Sequence, residues 1–362
     1  MNAPILQPGE HLPAGPRYLP ADLGHVFWGR LPCAADAPVM RVSSGEQVVI
    51  DTISHEGLLE DQGRDPLSYF ASHGIEREQV LDDALALAAS EHPRNPTTDG
   101  PHVNTGPIYV DGAQPGDLLK VTVDRLERRV PYGVISNRHG KGVLAGEFPR
   151  GERNVSVFAA VDEQDEQVHG TISPFAGAER TVRFPLAPFF GTIGVAVDGD
   201  RRPHSVPPGA HGGNVDIRML TERSSLYLPV QVPGALAFIG DPHFAQGDGE
   251  VALTAMEASL RGHVRFEVIA QEEAAELFGD QAGPIAETEE FLIPTGMDED
   301  LDVAVQNCVR NSVALLQARW GLDAEHAYAY LSAATDFNIS QVVDIVKGVH
   351  ARIRVEDFAT LS

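Results

Sequence analysis

The stretch SLYLPVQVPGALAFIGDPHFAQGDGE, from Ser225 to Glu250, holds two short apolar segments, Ser225 to Val232 and Gly234 to Ile239, and ends in a polar run punctuated by glycine. Segments of this length bounded by Gly and Pro are strand-like. The same texture extends outward in both directions. Gln47 to Ile53, Arg180 to Phe184 and Gly191 to Val197 read as strands, and Leu118 to Val123 alternates Leu119, Val121 and Val123 with Lys120 and Thr122 after the turn at Pro115-Gly116-Asp117. His263 to Ile269 alternates Val264, Phe266 and Val268 with Arg265 and Glu267. The 35 glycines and 26 prolines are spread through the chain as turn punctuation instead of gathering in one linker. These features predict a mainly β protein with a β-sandwich or barrel body.

Helices are few and late. Ile75 to Ser90 places Val80, Leu81, Ala84, Leu85 and Ala88 on one side and stops before His92-Pro93. Met297 to Trp320 carries Leu301, Val305, Cys308, Val309, Ser312, Val313, Leu316 and Trp320 at helical spacing. Asp298, Glu299 and Asp300 complement the positive end of that helix, and Gly321 stands where a C-terminal cap belongs. A further helix starts near Asp323 and covers Ala324 to Ala333. The predicted organisation is an N-terminal arm over 1–45, a β-rich body over 46–270 that carries the chemistry, and an α+β region with a helical segment over 271–362 packing on that body.

Length and composition bound the function. At about 150 residues per domain, 362 residues hold roughly two domains or one large β-rich unit. Asp plus Glu number 52 against 27 Lys plus Arg, a net charge of -25, which repels phosphate backbones and anionic lipid and argues against a nucleic-acid role. Cys33 and Cys308 cannot make a disulfide framework, which points to a cytoplasmic protein. Met1 to Pro20 reads as neither signal peptide nor anchor, and no uninterrupted apolar run reaches the roughly 18 residues of a membrane span.

The densest polar cluster is Gly240-Asp241-Pro242-His243-Phe244-Ala245-Gln246-Gly247-Asp248-Gly249-Glu250. Asp241 and His243 sit two apart, so an extended backbone puts both side chains on one face. Gly247-Asp248-Gly249 permits a tight reversal that can return Glu250 to the same point. Convergent N and O ligands suit Zn²⁺, Mn²⁺, Fe²⁺ or Ca²⁺. The competing reading is a hairpin with an acidic, solvated turn. Pro207 to Asp216 adds Gly212 and Gly213, whose backbone N–H groups can crowd a ligand as an oxyanion nest, with His211, Asn214 and Asp216 beside them. A plain glycine turn explains that stretch equally well. The Asn95 to Pro107 loop offers His102 and Asn104, against the reading of an ordinary surface loop. His55 in Ser54-His55-Glu56-Gly57 is a possible metal ligand, with Glu56 read as an ordinary solvated charge.

Nucleophile schemes fare worse. Cys308 lies on the apolar face of its helix, and Cys33 has no nearby His or Glu to lower its pKa. The chain has no G-x-S-x-G elbow, no Walker A, no G-x-G-x-x-G after a strand and no H-E-x-x-H. A cupin oxygenase is a distant option, because Asp241 stands where cupins place a first histidine.

TGPIYVDGAQPGDLLKV (Thr105 to Val121), PPGAHGGNVD (Pro207 to Asp216), the Ser225 to Glu250 stretch and AYLSAATDFNISQVVD (Ala329 to Asp344) resemble, in order, the acetamidase/formamidase family. The G-D-x-H-x-x-Q-G-D-G-E block is the most specific of them. The resemblance implies an enzyme, an amidohydrolase that cleaves the C–N bond of small neutral linear amides such as formamide or acetamide to carboxylate and ammonia. It also implies an all-β catalytic body with smaller α/β additions, a bound divalent metal and a homo-oligomer, dimer or larger. Residue by residue it marks Asp241, His243, Gln246, Asp248, Glu250, Gly212, Gly213, Asn214 and Asp216. On this reading Glu250 shuttles the proton, with Asp248 and Asn214 beside it in catalysis. Gly212, Gly213, Gln246 and His102 bind substrate, and Asp241, His243, His211 and His55 hold the metal, zinc first with calcium or manganese as alternatives. The rivals are a non-catalytic Ca²⁺-dependent β-sandwich binding module and a related hydrolase of larger amides or cyclic imides.

Overall fold

In the computed structural model, which describes residues 5–178, 180–279 and 283–361, the alternation along Leu118–Arg128 sets the first of two large sheets. Leu119, Val121 and Val123 stand opposite Val268, Phe266 and Val264 on one neighbour, and Leu119 and Val121 stand opposite Leu228 and Leu226 on the other. Paired residues share a face, so the pattern makes a continuous apolar stripe. This nine-stranded sheet runs Arg17–Leu19, Glu46–Asp51, Leu260–Ile269, Leu118–Arg128, Ser224–Pro229, Ile285–Glu287, Phe291–Asp298, Lys347–Arg354 and Asp336–Gln341. The second, eleven-stranded sheet runs Val182–Pro185, His169–Ile172, Val155–Asp162, Tyr132–Asn137, Met256–Glu257, Ala237–Ala245, Phe189–Gly194 and Gly212–Asn214. Of its three remaining strands, Val103–Val110 pairs with Ala237–Ala245 and carries Val26–Trp28 and Met40–Val42. One core joins the sheets, with Ile50, Val121, Leu226 and Phe266 of the first packed in the same buried cluster as Ile108, Ile193, Ile239 and Phe244 of the second. The mainly β body expected from the sequence is the observed one.

Within the expected arm, residues 5–45 are sewn into both sheets, since Arg17–Leu19 runs parallel to Glu46–Asp51 while Val26–Trp28 and Met40–Val42 flank Val103–Val110. Two buried arginines fasten this segment. Arg261 pairs with Asp51 through two bonds of 2.6 and 2.9 Å, and Arg129 binds Asp83 at 2.8 Å and donates to the carbonyls of Leu6 and Thr52 at 3.1 Å. Buried guanidinium groups need charged and hydrogen-bonded partners, and here the pairing fixes the chain just ahead of His55.

From Ile285 on, the chain extends the edge of the nine-stranded sheet by four strands, so the strands of the expected C-terminal region share a sheet with the body. The long helix runs Leu301–Trp320, with Asp300 accepting from the N–H groups of Asp302 and Val303 and Gly321 closing it at φ 69°. It starts four residues later than the Met297 expected from the sequence, because Met297 and Asp298 complete the strand that pairs with Lys347–Arg354. The helix lies so close to that strand that a Cβ on Gly296 would collide with the backbone of Ala304 and Cys308. The expected helix over Ile75 to Ser90 is instead a single turn, Arg77–Gln79, then Asp82–Ala89. Val80 and Leu81 are extended between them and bury their side chains in the core. Among the described residues no helix is long and apolar enough to cross a membrane.

Candidate active site

Ala237–Ala245 lies inside the second sheet between Val103–Val110 and Phe189–Gly194, and its C-terminal half carries Asp241 and His243. Both are buried. The chain reverses after Gln246 and returns as the short strand Met256–Glu257, which places Glu257 directly opposite His243. A cross-strand pair shares one face, so Glu257 joins His243 where sequence alone had placed only Glu250. Glu250 is also buried, but arrives from the turn with a left-handed backbone, φ 48°. Asp216 and Asp241, each at φ 49°, adopt the same rare conformation. Backbone strain at three converging carboxylates persists only where the surroundings over-determine it, as at working sites.

The floor is Gly191. A Cβ built there would stand 2.6 Å from Asp216 Oδ1, 2.7 Å from Asp241 Oδ2 and 2.7 Å from His243 Cε1. A methyl group at this position would displace all three groups, so Gly191→Ala is expected to weaken the binding of added Zn²⁺ by roughly ten- to hundredfold, the scale at which changes around metal ligands act, while leaving the circular dichroism spectrum unchanged. Isothermal titration with Zn²⁺ checks it.

Three histidines converge on Asp241. His102 Nδ1 lies 3.1 Å from the Ser205 carbonyl, which can only accept, so Nδ1 carries the proton and Nε2 faces Asp241 Oδ1 at 3.9 Å. His243 Nδ1 lies 3.1 Å from Gln246 Oε1, and its Nε2 stands 3.1 Å from Asp241 Oδ2 and 3.2 Å from Glu257 Oε1. The Gln246 amide nitrogen donates to the carbonyls of Asp216 and Ser340 at 2.9 and 3.1 Å, which fixes its oxygen as the acceptor. His55 turns Nε2 toward Glu56 at 3.4 Å and Nδ1 toward Asp241 and Glu257 at 3.6 and 3.9 Å. His102 and His243 thus each have one nitrogen set by an outer acceptor and the other aimed at Asp241, the pattern by which proteins orient metal-binding imidazoles, whereas neither nitrogen of His55 makes a hydrogen bond. His55 Nδ1, His243 Nε2, Asp241 Oδ1 and Glu257 Oε2 are buried and make no hydrogen bond.

Charge crowding divides the titratable groups. Burial works against the charge on His55, yet Asp241 and Glu56, with Glu257 nearby, carry its pKa up to about 10. Burial takes His102 down to about 4 against the pull of Asp241. Burial also opposes ionisation of Asp241, but His102 and His243 hold it well below the usual carboxylate range. Glu250 is raised well above its ordinary value by burial and by the charges of Asp344, Glu257 and Asp241. Burial, opposed by a bond to Asp216 and reinforced by Asp241, puts Asp344 at about 7. Carboxyl groups pushed in opposite directions within one cleft mark acid and base roles.

The sequence-derived site residues divide accordingly. His55, His102, Asn214, Asp241 and Glu250 line one cleft of about 850 Å³, with Glu257 and Asp344 beside them, and His243 packs among these groups. Asn214 donates both amide hydrogens, to Asp216 at 2.7 Å and Asp344 at 2.9 Å, so it ties two carboxylates together instead of facing an oxyanion. Gln246 commits its amide to His243 and two carbonyls and so positions the histidine. Asp248 sits outside the cluster, held by Arg218 at 2.9 Å and Asn338 at 2.8 Å, and clasps the strand Asp336–Gln341 onto the turn. His211 belongs to none of the converging donor groups among the described residues, and its ring packs over Gly209 and Gly213. The Gly212 N–H is taken by the Gly209 carbonyl at 2.9 Å, and a Cβ there would meet Leu228 at 2.7 Å, so close strand packing accounts for this glycine. Glu56 is not a solvated charge: it is buried, bound by Ser136 at 2.8 Å and by both terminal nitrogens of Arg138 at 3.1 Å. Burial raises a carboxyl, but Arg138 and His55 bring Glu56 down to about 2. Sequence reasoning missed Glu257, Asp344 and Arg138.

The sequence model of the Acetamidase/Formamidase family matches residues 75–200 and 198–356. A formamidase of Methylophilus methylotrophus is 27% identical over 304 residues, covering 67% of this chain and 74% of that protein. An acetamidase of Mycolicibacterium smegmatis is 26% identical over 299 residues, covering 64% and 73%. The crystal structure of a recombinant predicted acetamidase/formamidase from Thermoanaerobacter tengcongensis superposes with a TM-score of 0.73 at 25% identity, over 96% of this chain and 98% of that one.

Proposed function

The chain belongs to the acetamidase/formamidase family, and from that premise we propose that it hydrolyses small neutral linear amides, of the formamide or acetamide type, to carboxylate and ammonia with a divalent cation, zinc first, at the base of its cleft. The observation that carries the reading is the convergence of His55, His102 and His243 on Asp241, with Glu257 beside His55 and His243 and four of the inward donor atoms buried and unpartnered. Three imidazoles and two carboxylates fit zinc or manganese better than calcium, which prefers an all-oxygen shell. A cation held there would supply Lewis-acid polarisation of the amide carbonyl and lower the pKa of bound water toward ~7.

The protein's own groups do the rest. Glu250 faces this cluster from the cleft and takes a proton from the attacking water, then gives it to the departing nitrogen, which leaves as ammonia. The raised affinity of Glu250 for a proton suits the second half of that task. Asn214 holds Asp344 and Asp216 in register behind it. Gln246 and the Ser205 carbonyl keep His243 and His102 in the tautomers that present Nε2.

Purified protein is expected to contain zinc or manganese by elemental analysis and to release ammonia from formamide or acetamide. Dialysis against a chelator should abolish release, and the metal should restore it. Full activity after complete metal removal would refute the metal's role, and ammonia from no amide would refute the hydrolase reading.

A further inference from the structure

The cleft above these groups is larger than formamide or acetamide requires, since volumes of 300–1,000 Å³ enclose drug-sized ligands and this one measures about 850 Å³. Its lining is mostly polar, but Leu59, Leu253, Val342, Val343 and Ile345 contribute branched apolar side chains to it. Two of these residues sit in conformations that their side chains disfavour. Ile345, next to Asp344, has φ 69°, and Leu253, three residues after Glu250, has φ 114°. A β-branched residue at positive φ is a true outlier, where glycine or asparagine is at ease.

Ile345 gains no core packing in return, because it remains 57% exposed. Its turn is imposed from below by the buried Gln341. That side chain accepts from the N–H groups of Val343 and Asp344 at 3.0 Å and donates to the Val346 carbonyl at 2.8 Å, and the Val346 N–H closes on Asp344 at 2.7 Å. A branched apolar side chain is thus held, against its backbone preference, over the cleft beside Asp344 and Asn214. Strain kept without a packing gain points to a ligand contact.

Resting on the amide-hydrolase reading, we infer that the acyl group this cleft takes carries an apolar chain longer than acetyl, and that Ile345 and Leu253 set the preference by gripping it. Burying one methylene strengthens binding about fourfold. Wild-type kcat/KM should therefore climb by about that factor per carbon along acetamide, propionamide, butyramide and hexanamide until the apolar side chains are covered. In Ile345→Gly, and in Leu253→Ala, the climb should shrink to under twofold per carbon, mainly through KM, as expected for contacts made equally in ground and transition states. Because glycine suits the backbone at 345, Ile345→Gly should keep or raise Tm, so the variant reports on binding and not on folding. Calorimetric titration with the same amides reads the gradient apart from turnover. Affinity rising with chain length but no ammonia would keep the apolar subsite and reject the hydrolase reading. A flat affinity series, a wild-type preference for acetamide over longer chains, or an undiminished gradient in Ile345→Gly would overturn the inference.

Discussion

Glu250→Gln is expected to lower ammonia release by about 10²–10⁴-fold, the usual contribution of a positioned acid or base, while metal content and thermal stability stay at wild-type levels. Glutamine keeps the size and the buried position of the side chain and removes only its capacity to take and return a proton. Burial and the charges of Asp344, Glu257 and Asp241 hold this carboxyl well above its ordinary pKa, so the neutral amide also relieves repulsion, and stability should not fall. The loss should appear in kcat, with KM changed little, because proton transfer belongs to the transition state. Turnover in the variant equal to wild type would remove Glu250 from the mechanism.

His243→Ala is expected to release the metal and to lower turnover by more than the ten- to hundredfold that changes in outer-shell partners cost. The imidazole lies between Asp241 at 3.1 Å and Glu257 at 3.2 Å, and its removal leaves two buried carboxylates facing each other. Their repulsion should then bring a proton into the site in place of a cation. Elemental analysis after gel filtration, alongside the ammonia assay, reads both effects. Retention of stoichiometric metal with wild-type turnover would contradict the role assigned to this residue.

The part of the site written into one strand was legible in the sequence. Asp241 and His243 stand two apart on a strand and do meet, at 3.1 Å, although Asp241 is left-handed at φ 49° and the expected simple alternation is broken at that residue. Asp300 and Gly321 announced their helix ends for an equally local reason. Glu257 was hidden because its position depends on how the ten residues after Gln246 fold back, and the returning strand, Met256–Glu257, is too short to show alternation. Asp344 lies in an irregular turn whose shape comes from the Gln341 side chain, a contact with no sequence signature. Glu56 looked like a surface charge because nothing local says that Arg138, just past the end of the strand Tyr132–Asn137, reaches it. Conversely, Asp248 and His211 sit inside the most recognisable motifs yet serve the packing of turns, since a motif preserves the loops that present a site as well as the groups that act. The expected arm over 1–45 looked separate because strands of three residues carry too little pattern to reveal their partners.

The most direct test is anomalous diffraction from crystals of the purified protein, collected on either side of the zinc and manganese absorption edges. A single strong anomalous peak, or a closely spaced pair, is expected within bonding distance of His102 Nε2, His243 Nε2, His55 Nδ1, Asp241 and Glu257. Catalytically active crystals with no anomalous peak among those five side chains would contradict the metal-dependent site on which the mechanism rests.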